Sequence, residues 1–263
     1  MLPGQENCIA LEVCDLAIGY GERTVLENLN FTVKRGEIFA IMGSSGCGKS
    51  TLLKHIIGIY PPQRGSIRIF GRETGINNTI NPAEIAQLFG VTYQGGALLG
   101  SLTLAENVAL VLEEHTNLSK REINKIVQQK LELVNLAEFG DFYPAEISGG
   151  MKKRAGLARA LAMDPPLLFF DEPSAGLDPV SSADLDKLIL QMRDKLNCTV
   201  VIVTHELDSI YSIADRVILL DKATRTIAAE GDPRKLREEC RIPWIRDFLT
   251  RKGMTGYEKT SHQ

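Results

Sequence analysis

The sequence lacks any apolar run long enough to cross a bilayer, and it lacks the cysteine spacing of a disulfide or zinc framework. No hydrophobic stretch approaches the ~18 residues of a transmembrane helix. The first seven residues also lack the basic and then apolar pattern of a signal peptide. The five cysteines are odd in number, scattered and never spaced as C-x-x-C. We therefore expect a cytoplasmic chain that stays outside the lipid, with reduced thiols that bind no metal.

A large excess of charge of one sign is also missing. The formal net charge is −3 at pH 7, which argues against a protein whose main partner is nucleic acid. The sequence has no internal repeat with a period of about 20 to 50 residues and no low-complexity tract. What remains is an ordinary globular composition, with 44% hydrophobic and 24% charged residues in 263. This length suits one large α/β domain, or a core with a subdomain.

A glycine-rich segment organises the rest of the chain. Residues 43–50 read Gly-Ser-Ser-Gly-Cys-Gly-Lys-Ser and match the phosphate-binding pattern G-x-x-x-x-G-K-[ST]. An apolar stretch, 37–42, predicts a buried strand before it, and 51–57 predicts a helix after it. Glycines allow the backbone to aim successive N–H groups at phosphate oxygens, and the helix N-terminus adds partial positive charge. The alternative is a glycine-rich turn that binds no nucleotide.

Each residue of this loop has a predicted part in nucleotide binding. Lys49 is expected to reach the β- and γ-phosphates, and Ser50 to place its hydroxyl on Mg²⁺. Cys47 occupies a variable position of the loop, and modification of its thiol is expected to block the nucleotide. A structural role is favoured for the residue itself. The predicted ATP-binding segment consists of Gly43, Ser44, Ser45, Gly46, Cys47, Gly48, Lys49, Ser50 and Thr51.

Two further residues are candidates for the same site. Tyr20 lies between two glycines on a predicted loop and could stack on adenine, although it could equally pack a turn. Gln94 follows a short predicted strand, 91–93. Its neutral amide could coordinate the metal and the attacking water, whereas the alternative is an ordinary glutamine at a turn.

Polar residues also end two later apolar strands. Residues 167–170 lead into Asp171 and Glu172, whose side chains should point to opposite sides of a strand. Asp171 is then predicted to hold Mg²⁺ and Glu172 to deprotonate water; the alternative is a pair of solvent-facing acids. The strand 199–204 ends at His205, which could hydrogen-bond the γ-phosphate.

The segment 101–163 has helical periodicity and no predicted strand, which indicates a helical subdomain placed on the core. Near its end, Ser148 is a good N-cap, and Gly149 and Gly150 leave the amides of a helix start bare. This is a second anion site. Because one nucleotide cannot easily use both loops of one compact chain, we expect a twofold dimer in which two subunits share each ATP. The following side chains, 152–154, are interpreted as a solvated helix face.

Four features complete the sequence-based map. Asp178 caps a predicted helix that runs through Leu196. Residues 66–70 alternate as an edge strand, and 216–220 with 225–230 indicate a hairpin. The segment 241–263 contains the only tryptophan and apolar residues at helical spacing. It is predicted either to pack on its own domain or to bind the other subunit or a partner. In the second case, truncation near residue 239 would weaken dimers.

These residues, taken together and in order, resemble the nucleotide-binding subunit of ABC transporters over nearly the whole chain. The shared motifs are Tyr20, residues 43–51, Gln94, the signature Ser148-Gly149-Gly150-Met151, Asp171 with Glu172, Asp178 of the D-loop and His205. The usual signature ends in glutamine where this chain has Met151, so a contact from the glutamine side chain is in doubt. The resemblance implies ATP and Mg²⁺ as cofactors and a metal site of Ser50, Gln94 and Asp171.

The resemblance also implies a fold and its division. The fold class is α/β, a P-loop NTPase core of the RecA type with an antiparallel β subdomain and an inserted helical subdomain. The expected ATPase domain is 1–240, with its core in 1–94 and 165–240 and the helical subdomain in 95–164. Residues 241–263 form a C-terminal extension.

Within the family, residues 93–99, 113–118 and 148–161 are similar to the ATPase of Mce-associated lipid transporters of the Mla type. This similarity implies a head-to-tail homodimer whose two copies share ATP. The implied partners are an integral membrane permease and an Mce-type lipid-binding subunit, with no nucleic-acid partner. The implied location is the cytoplasmic face of the inner membrane. The alternatives are a small-solute importer, for example for amino acids, or a non-transport ABC protein acting on nucleic acid or ribosomes. A P-loop kinase would leave residues 148–159 unexplained.

Overall fold

The computed structural model describes residues 8–74, 84 and 87–250, which form two β-sheets with helices packed around them. The strands are β1 (Ile9–Tyr20), β2 (Arg23–Lys34), β3 (Ile38–Gly43), β4 (Arg64–Ile69), β5 (Arg72–Glu73), β6 (Gly90–Thr92), β7 (Leu167–Asp171), β8 (Thr199–Val203), β9 (Arg216–Asp221) and β10 (Thr226–Gly231). The α-helices are α1 (Lys49–Ile56), α2 (Leu104–His115), α3 (Lys120–Leu133), α4 (Gly149–Ala160), α5 (Pro179–Leu196), α6 (Leu207–Ile213), α7 (Pro233–Glu239) and α8 (Pro243–Thr250).

The central sheet has the strand order β10-β9-β3-β8-β7-β6. Strands β9, β3, β8, β7 and β6 are parallel, and only β10 is antiparallel to its neighbour. All residues of β3 and β8 are buried, because helices or the second sheet cover both faces. The carboxyl ends of parallel strands meet at one edge of the sheet, so the loops after β3, β6, β7 and β8 converge there.

The second sheet is antiparallel and has the order β2-β1-β4-β5. The edge position predicted for residues 66–70 was wrong, because β4 lies between β1 and β5. The chain reverses at Gly71, which has φ +76°, and the two-residue β5 then pairs with β4. The predicted hairpin is confirmed as β9 and β10. Apolar residues of β1, β2 and β4 pack with α1 and the central sheet in one core cluster.

Between residues 95 and 164, all of which are described, the chain forms helices and turns but no strand. Helices α2 and α3 each begin with a reciprocal capping box, Thr103 with Glu106 and Ser119 with Glu122. Their apolar faces pack with α4, α5 and β7 in a second core cluster. The local sequence thus starts each helix, and the shared apolar cluster fixes their arrangement.

Helix α8 packs against the central sheet and α6. Ile245 and Leu249 are 0% and 1% exposed and share a core cluster with residues of β3, α6 and β9. The hydroxyl of Tyr211 donates a hydrogen bond of 2.6 Å to the carbonyl of Leu249. Of the two roles predicted for the C-terminal segment, residues 243–250 therefore show packing on their own domain. Residues 251–263 lie outside the described part. No described helix is both long and apolar enough to span a bilayer.

Candidate nucleotide-binding site

A cavity of about 1070 Å³ lies where the loops after β3, β6, β7 and β8 converge. It brings together most of the site residues predicted from sequence. These are Tyr20, Gly43, Ser44, Ser45, Gly46, Gly48, Lys49, Ser50, Thr51, Gln94, Glu172 and His205. Sequence reasoning missed Arg23, Val25, Glu206, Leu207 and Phe248, which also line it. Phe248 comes from α8, so the C-terminal segment contributes to the wall of the cavity.

The glycine-rich loop adopts a conformation that requires glycine. Gly43 and Gly48 have φ of +149° and +107°. A Cβ on Gly43 would lie 2.6 Å from Sγ of Cys47 and 2.7 Å from the carbonyl oxygen of Leu220. The loop then leads directly into α1. This tight curl before a helix start fits a phosphate group.

Lys49 reaches across this loop. Its Nζ donates hydrogen bonds to the carbonyl oxygens of Gly43 at 2.9 Å and Ser44 at 3.3 Å, and the residue is 8% exposed. The ammonium therefore stays within the loop, close to the atoms that would surround a phosphate.

Cys47 faces the core rather than the cavity. It is 2% exposed and belongs to the apolar cluster around α1. Burial raises the pKa of its thiol, which disfavours the reactive thiolate. The structural role proposed for Cys47 is therefore favoured over a site of easy modification.

Tyr20 lies at the end of the cavity beside the start of α1. Its hydroxyl is 3.4 Å from Oγ1 of Thr51, and its ring meets that of Tyr60 edge-on, with 5.3 Å between centroids. The residue is 45% exposed. The ring is thus oriented by its neighbours and still accessible for stacking.

Ser50 and Asp171 meet across the base of the loop. The Ser50 hydroxyl donates a hydrogen bond of 3.3 Å to Oδ1 of Asp171. Burial raises the pKa of Asp171, while the Ser50 hydrogen bond and nearby lysines oppose the shift. Gln94 lines the cavity, and these oxygen donors suit Mg²⁺, which takes few protein ligands beside phosphate oxygens. The described residues contain no cluster of three or more His, Cys, Asp or Glu that could hold a metal alone.

The sequence predicted that strand alternation would orient Glu172, but the strand ends at Asp171 and a turn orients Glu172 instead. It has φ +50°, and its N–H donates to the carbonyl of Val203 at 2.8 Å. Its Oε1 lies 2.9 Å from Nδ1 of His205, and its Oε2 accepts a hydrogen bond of 3.2 Å from the Thr204 hydroxyl. Thr204 was missed by the sequence reasoning, although a hydroxyl at the end of a buried strand beside His205 could have indicated it.

The signature segment lies outside the nucleotide cavity. Ser148 caps α4, and its hydroxyl accepts a hydrogen bond of 3.2 Å from the N–H of Met151. Ser148 and Gly150 line a separate cavity of about 310 Å³ next to α5. Asp178 caps α5 by accepting hydrogen bonds from two backbone N–H groups at 3.0 Å. Within one chain, the two predicted anion-binding segments therefore do not face one ligand.

The interpretation of 152–154 as a solvated face was wrong for Lys153. Its Nζ donates to the backbone carbonyls of Glu172 at 3.4 Å, Pro173 at 2.6 Å and Ala175 at 2.6 Å. The error arose because helical periodicity places a side chain on a face but does not reveal which loop covers that face.

The loop after β6 is attached to the helical layer by two side chains that were also missed. Arg159 donates to the carbonyls of Ala97 at 2.6 Å and Gly96 at 3.1 Å. Asn107 is fully buried and bonds to both the N–H and the carbonyl of Leu99, at 2.8 and 3.1 Å. The loop that carries Gln94 is therefore tied to both α2 and α4.

A family model described as ABC transporter matches residues 26–175, which is more than half of the chain. The chain belongs to the ABC transporter family. This ABC ATPase binds and hydrolyses ATP, and its fold is the P-loop ATPase fold predicted from the sequence.

Named relatives resemble this ABC ATPase over most of its length. It is 40% identical over 86% of its chain to the intermembrane phospholipid transport system ATP-binding protein MlaF of Haemophilus influenzae, covering 85% of that protein. The MlaF of Escherichia coli K12 is 37% identical to this chain. The match spans 91% of this chain and 88% of MlaF. A probable ribonucleotide transport ATP-binding protein, mkl, of Mycobacterium leprae is 40% identical to this chain. The match spans 92% of this chain and 69% of mkl.

Solved structures of ATP-binding cassettes have the same fold. The cassette MJ0796, in a dimeric post-hydrolysis state with ADP and Pi, matches with a TM-score of 0.74 and 29% identity over 84% of this chain and 98% of its own. The cassette cbiO1 of Clostridium perfringens, part of the transporter complex cbiONQ, matches with a TM-score of 0.77 and 27% identity. The match covers 92% of this chain and 99% of cbiO1.

Proposed function

We propose that this ABC ATPase is the motor subunit of a phospholipid transporter and hydrolyses ATP between two copies of itself to drive a separate membrane permease. One observation carries the mechanism. The phosphate-binding loop, Glu172 and His205 line one cavity, whereas Ser148 opens on another. A second copy, turned head to tail, can bring its Ser148 to the open side of the nucleotide cavity.

The site residues predicted from the sequence have proposed roles in and beside the cavity. Tyr20 stacks on adenine, and the N–H groups of residues 43–51 with Lys49 hold the phosphates. Ser50, Gln94 and Asp171 would hold Mg²⁺, which would neutralise charge on the phosphate oxygens. Glu172 orients and deprotonates the attacking water, while His205 contacts the γ-phosphate and keeps Glu172 in place through their 2.9 Å contact.

The partner subunit completes each site in this proposal. Residues 148–151 of one copy direct the N–H groups of a helix start at the γ-phosphate held by the other copy, and Asp178 shapes the loop beside them. The contacts from the partner's signature to the γ-phosphate exist only in the closed dimer, so ATP favours closure and ADP does not. Serine and backbone amides are retained in the signature, and Met151 removes only a glutamine side chain.

The relatives named MlaF support phospholipid as the transported class. We place the protein on the cytoplasmic face of the inner membrane, bound to its permease, with an Mce-type lipid-binding subunit in the same complex. The proposed division is an ATPase core in 1–94 and 165–240, a helical subdomain in 95–164 and the extension 241–263. No role with nucleic acid is proposed.

A second candidate is transport of a small solute, which the mycobacterial relatives named for ribonucleotide transport favour. Purification of the tagged chain from its native membrane distinguishes the two. A permease that co-purifies with bound phospholipid supports the lipid proposal, whereas a permease with a solute-binding subunit and no lipid contradicts it.

The hydrolytic role is tested with Glu172→Gln. The variant should bind ATP with unchanged affinity but turn it over about 10² to 10⁴ times more slowly, because the amide cannot accept a proton from water. ATP binding is measured with a fluorescent nucleotide and turnover by phosphate release. Glu132→Gln, on the exposed side of α3, is the matched control. Robust hydrolysis by Glu172→Gln would remove Glu172 from the role of base.

A further inference from the structure

The ammonium of Lys153 joins two functional segments of the chain. Lys153 is the fifth residue of α4, the helix that begins at the signature. Its three hydrogen bonds all end on backbone carbonyls of one short loop, those of residues 172, 173 and 175. An ammonium has three N–H donors, so this one loop satisfies all of them.

The loop held by Lys153 is the one that carries Glu172. Glu172 has φ +50°, a left-handed conformation that is unfavourable for a residue other than glycine. Within the loop, the N–H of Ala175 donates a 3.3 Å bond to the carbonyl of Glu172, and the N–H of Glu172 donates to the carbonyl of Val203 on the neighbouring strand. A left-handed residue persists only where its surroundings hold it. Lys153 supplies such a restraint from outside the loop.

The Lys153 amine is half-buried, and in this environment its positive charge depends on the loop carbonyls as hydrogen-bond acceptors. Burial lowers the pKa of the amine, and the negative charge of Glu172 opposes the shift. A buried ammonium without acceptors is costly, so the amine and the three carbonyls restrain each other. Lys152, next to it, has no side-chain hydrogen bond or ion pair among the described residues. The restraint is therefore specific to position 153.

The first turn of α4 packs against the same region. A Cβ built on Gly150 would lie 3.9 Å from Leu177 and from the Ser181 hydroxyl, at the start of α5. The signature, the loop after Glu172 and the D-loop are thus in contact within one chain. In the proposed dimer, the signature of a subunit touches the ATP of its partner, whereas Glu172 of that subunit acts on its own ATP.

We propose that Lys153 is a positioning residue that holds Glu172 ready for catalysis and transmits engagement of the signature at one ATP to Glu172 at the other ATP. This inference rests on the proposed function. When α4 is drawn onto the partner's nucleotide, Lys153 moves the carbonyls of residues 172–175 with it. Displacement of a catalytic group by about 1 Å can slow a reaction about 10²-fold.

The first test replaces the ammonium with an apolar chain of similar length. Lys153→Met in the full chain should lower kcat at least about tenfold, leave ATP affinity within about twofold and reduce the cooperativity of hydrolysis in ATP. Lys153→Arg, which keeps the charge and several donors, should recover kcat to within about threefold. Lys152→Met is the matched control and should behave as wild type. A wild-type kcat in Lys153→Met overturns the proposal.

Lys153→Gln covers the case in which Lys153→Met does not fold, because its amide keeps two N–H donors. Its kcat should fall below that of wild type at unchanged ATP affinity and melting temperature. A purely structural role predicts the reverse, namely a lower melting temperature with kcat preserved in the molecules that remain folded. That result overturns the proposal as well.

Mixed dimers decide whether Lys153 acts on its own Glu172. Two differently tagged copies are purified together, and single-turnover hydrolysis is measured. With Glu172→Gln in one copy and Lys153→Met in the other, the only intact Glu172 lacks its restraint, so turnover should fall at least about tenfold. With both substitutions in one copy, the wild-type copy keeps both groups, and turnover should stay near half of the wild-type value. The opposite pattern would mean that Lys153 serves only the signature and overturns the proposal.

Failure of this inference and failure of the proposed function give different results. If the function is wrong, the wild-type chain does not hydrolyse ATP, or Glu172→Gln hydrolyses it normally. If only the inference is wrong, wild type and Glu172→Gln behave as expected, and Lys153→Met matches wild type.

Discussion

Lys49 has a buried positive charge that the loop around it satisfies. Its ammonium donates to the carbonyls of Gly43 and Ser44 while the residue is 8% exposed. A buried charge without such partners would be strongly unfavourable. Under the proposed function, negatively charged phosphate oxygens would bind beside this ammonium.

Lys49→Ala should weaken ATP binding at least about tenfold and up to 10²-fold, since a charge-assisted hydrogen bond contributes about 1.5–3 kcal/mol. Equilibrium titration with a fluorescent ATP analogue measures the change. Lys125→Ala, on the exposed side of α3, controls for loss of a positive charge. Unchanged affinity in Lys49→Ala would exclude Lys49 from phosphate binding.

Asp186, on α5, predicts a dependence of stability on pH. Burial raises its pKa to about 6 from an ordinary 3.8, although a hydrogen bond from Ser209 opposes the shift. Because the folded protein holds this proton more tightly than the unfolded chain does, the free energy of unfolding falls as pH rises from about 4 to about 6 and stays lower above that range.

Asp186→Asn, which resembles the protonated acid, should therefore stabilise the protein at pH 8 by on the order of 1–3 kcal/mol. The gain should shrink at pH 5 and nearly vanish at pH 4. Urea unfolding at the three pH values measures it, with the exposed Asp184→Asn as control. An equal gain at all three would contradict the assignment of the effect to this proton.

At the scale of elements, most strands and helices followed from local patterns. The apolar run before Gly43 and the capping residues Ser148 and Asp178 predicted β3, α4 and α5, because burial on both faces and N-capping leave clear sequence signals. The position of β4 inside its sheet did not follow, since β5 is only two residues long and too short for a periodic signal.

The site was predictable in its residue types and less so in its contacts. The spacing of residues 43–50 identifies the phosphate loop because the chemistry requires that local sequence. The turn at Glu172 and the bonds of Lys153 and Arg159 depend on segments that are far apart in sequence and meet only after folding. Single-sequence patterns carry no information on such pairings.

Helix α8 offers a prediction on stability. Leu249 is 1% exposed in the cluster between α6 and β3. Leu249→Ala should lower the free energy of unfolding by about 2–5 kcal/mol, because it leaves a cavity among packed side chains. The exposed Arg246→Ala, on the same helix, should change it by less than about 0.5 kcal/mol. Chemical denaturation compares them, and equal stability of the two variants would contradict the observed packing.

At the scale of the whole molecule, the separation of the two cavities predicts dimers that depend on ATP. Glu172→Gln with ATP and Mg²⁺ should elute as a dimer in size-exclusion chromatography with light scattering, and as a monomer with ADP. Adding Ser148→Arg should prevent the dimer, because a long charged side chain replaces the cap of α4 at the proposed contact. The control is Ser119→Arg, at the cap of α3. Dimers that persist in the Ser148→Arg variant would argue against a shared nucleotide.

The side-chain amide of Asn107 connects α2 rigidly to the segment that precedes it. It bonds to the backbone at Leu99, Leu102 and Thr103, so this stretch and α2 form one stiff piece. Leu99 itself is 46% exposed. A displacement of Leu99 by a contact from outside would therefore move α2 with it, because these hydrogen bonds prevent the loop from bending separately.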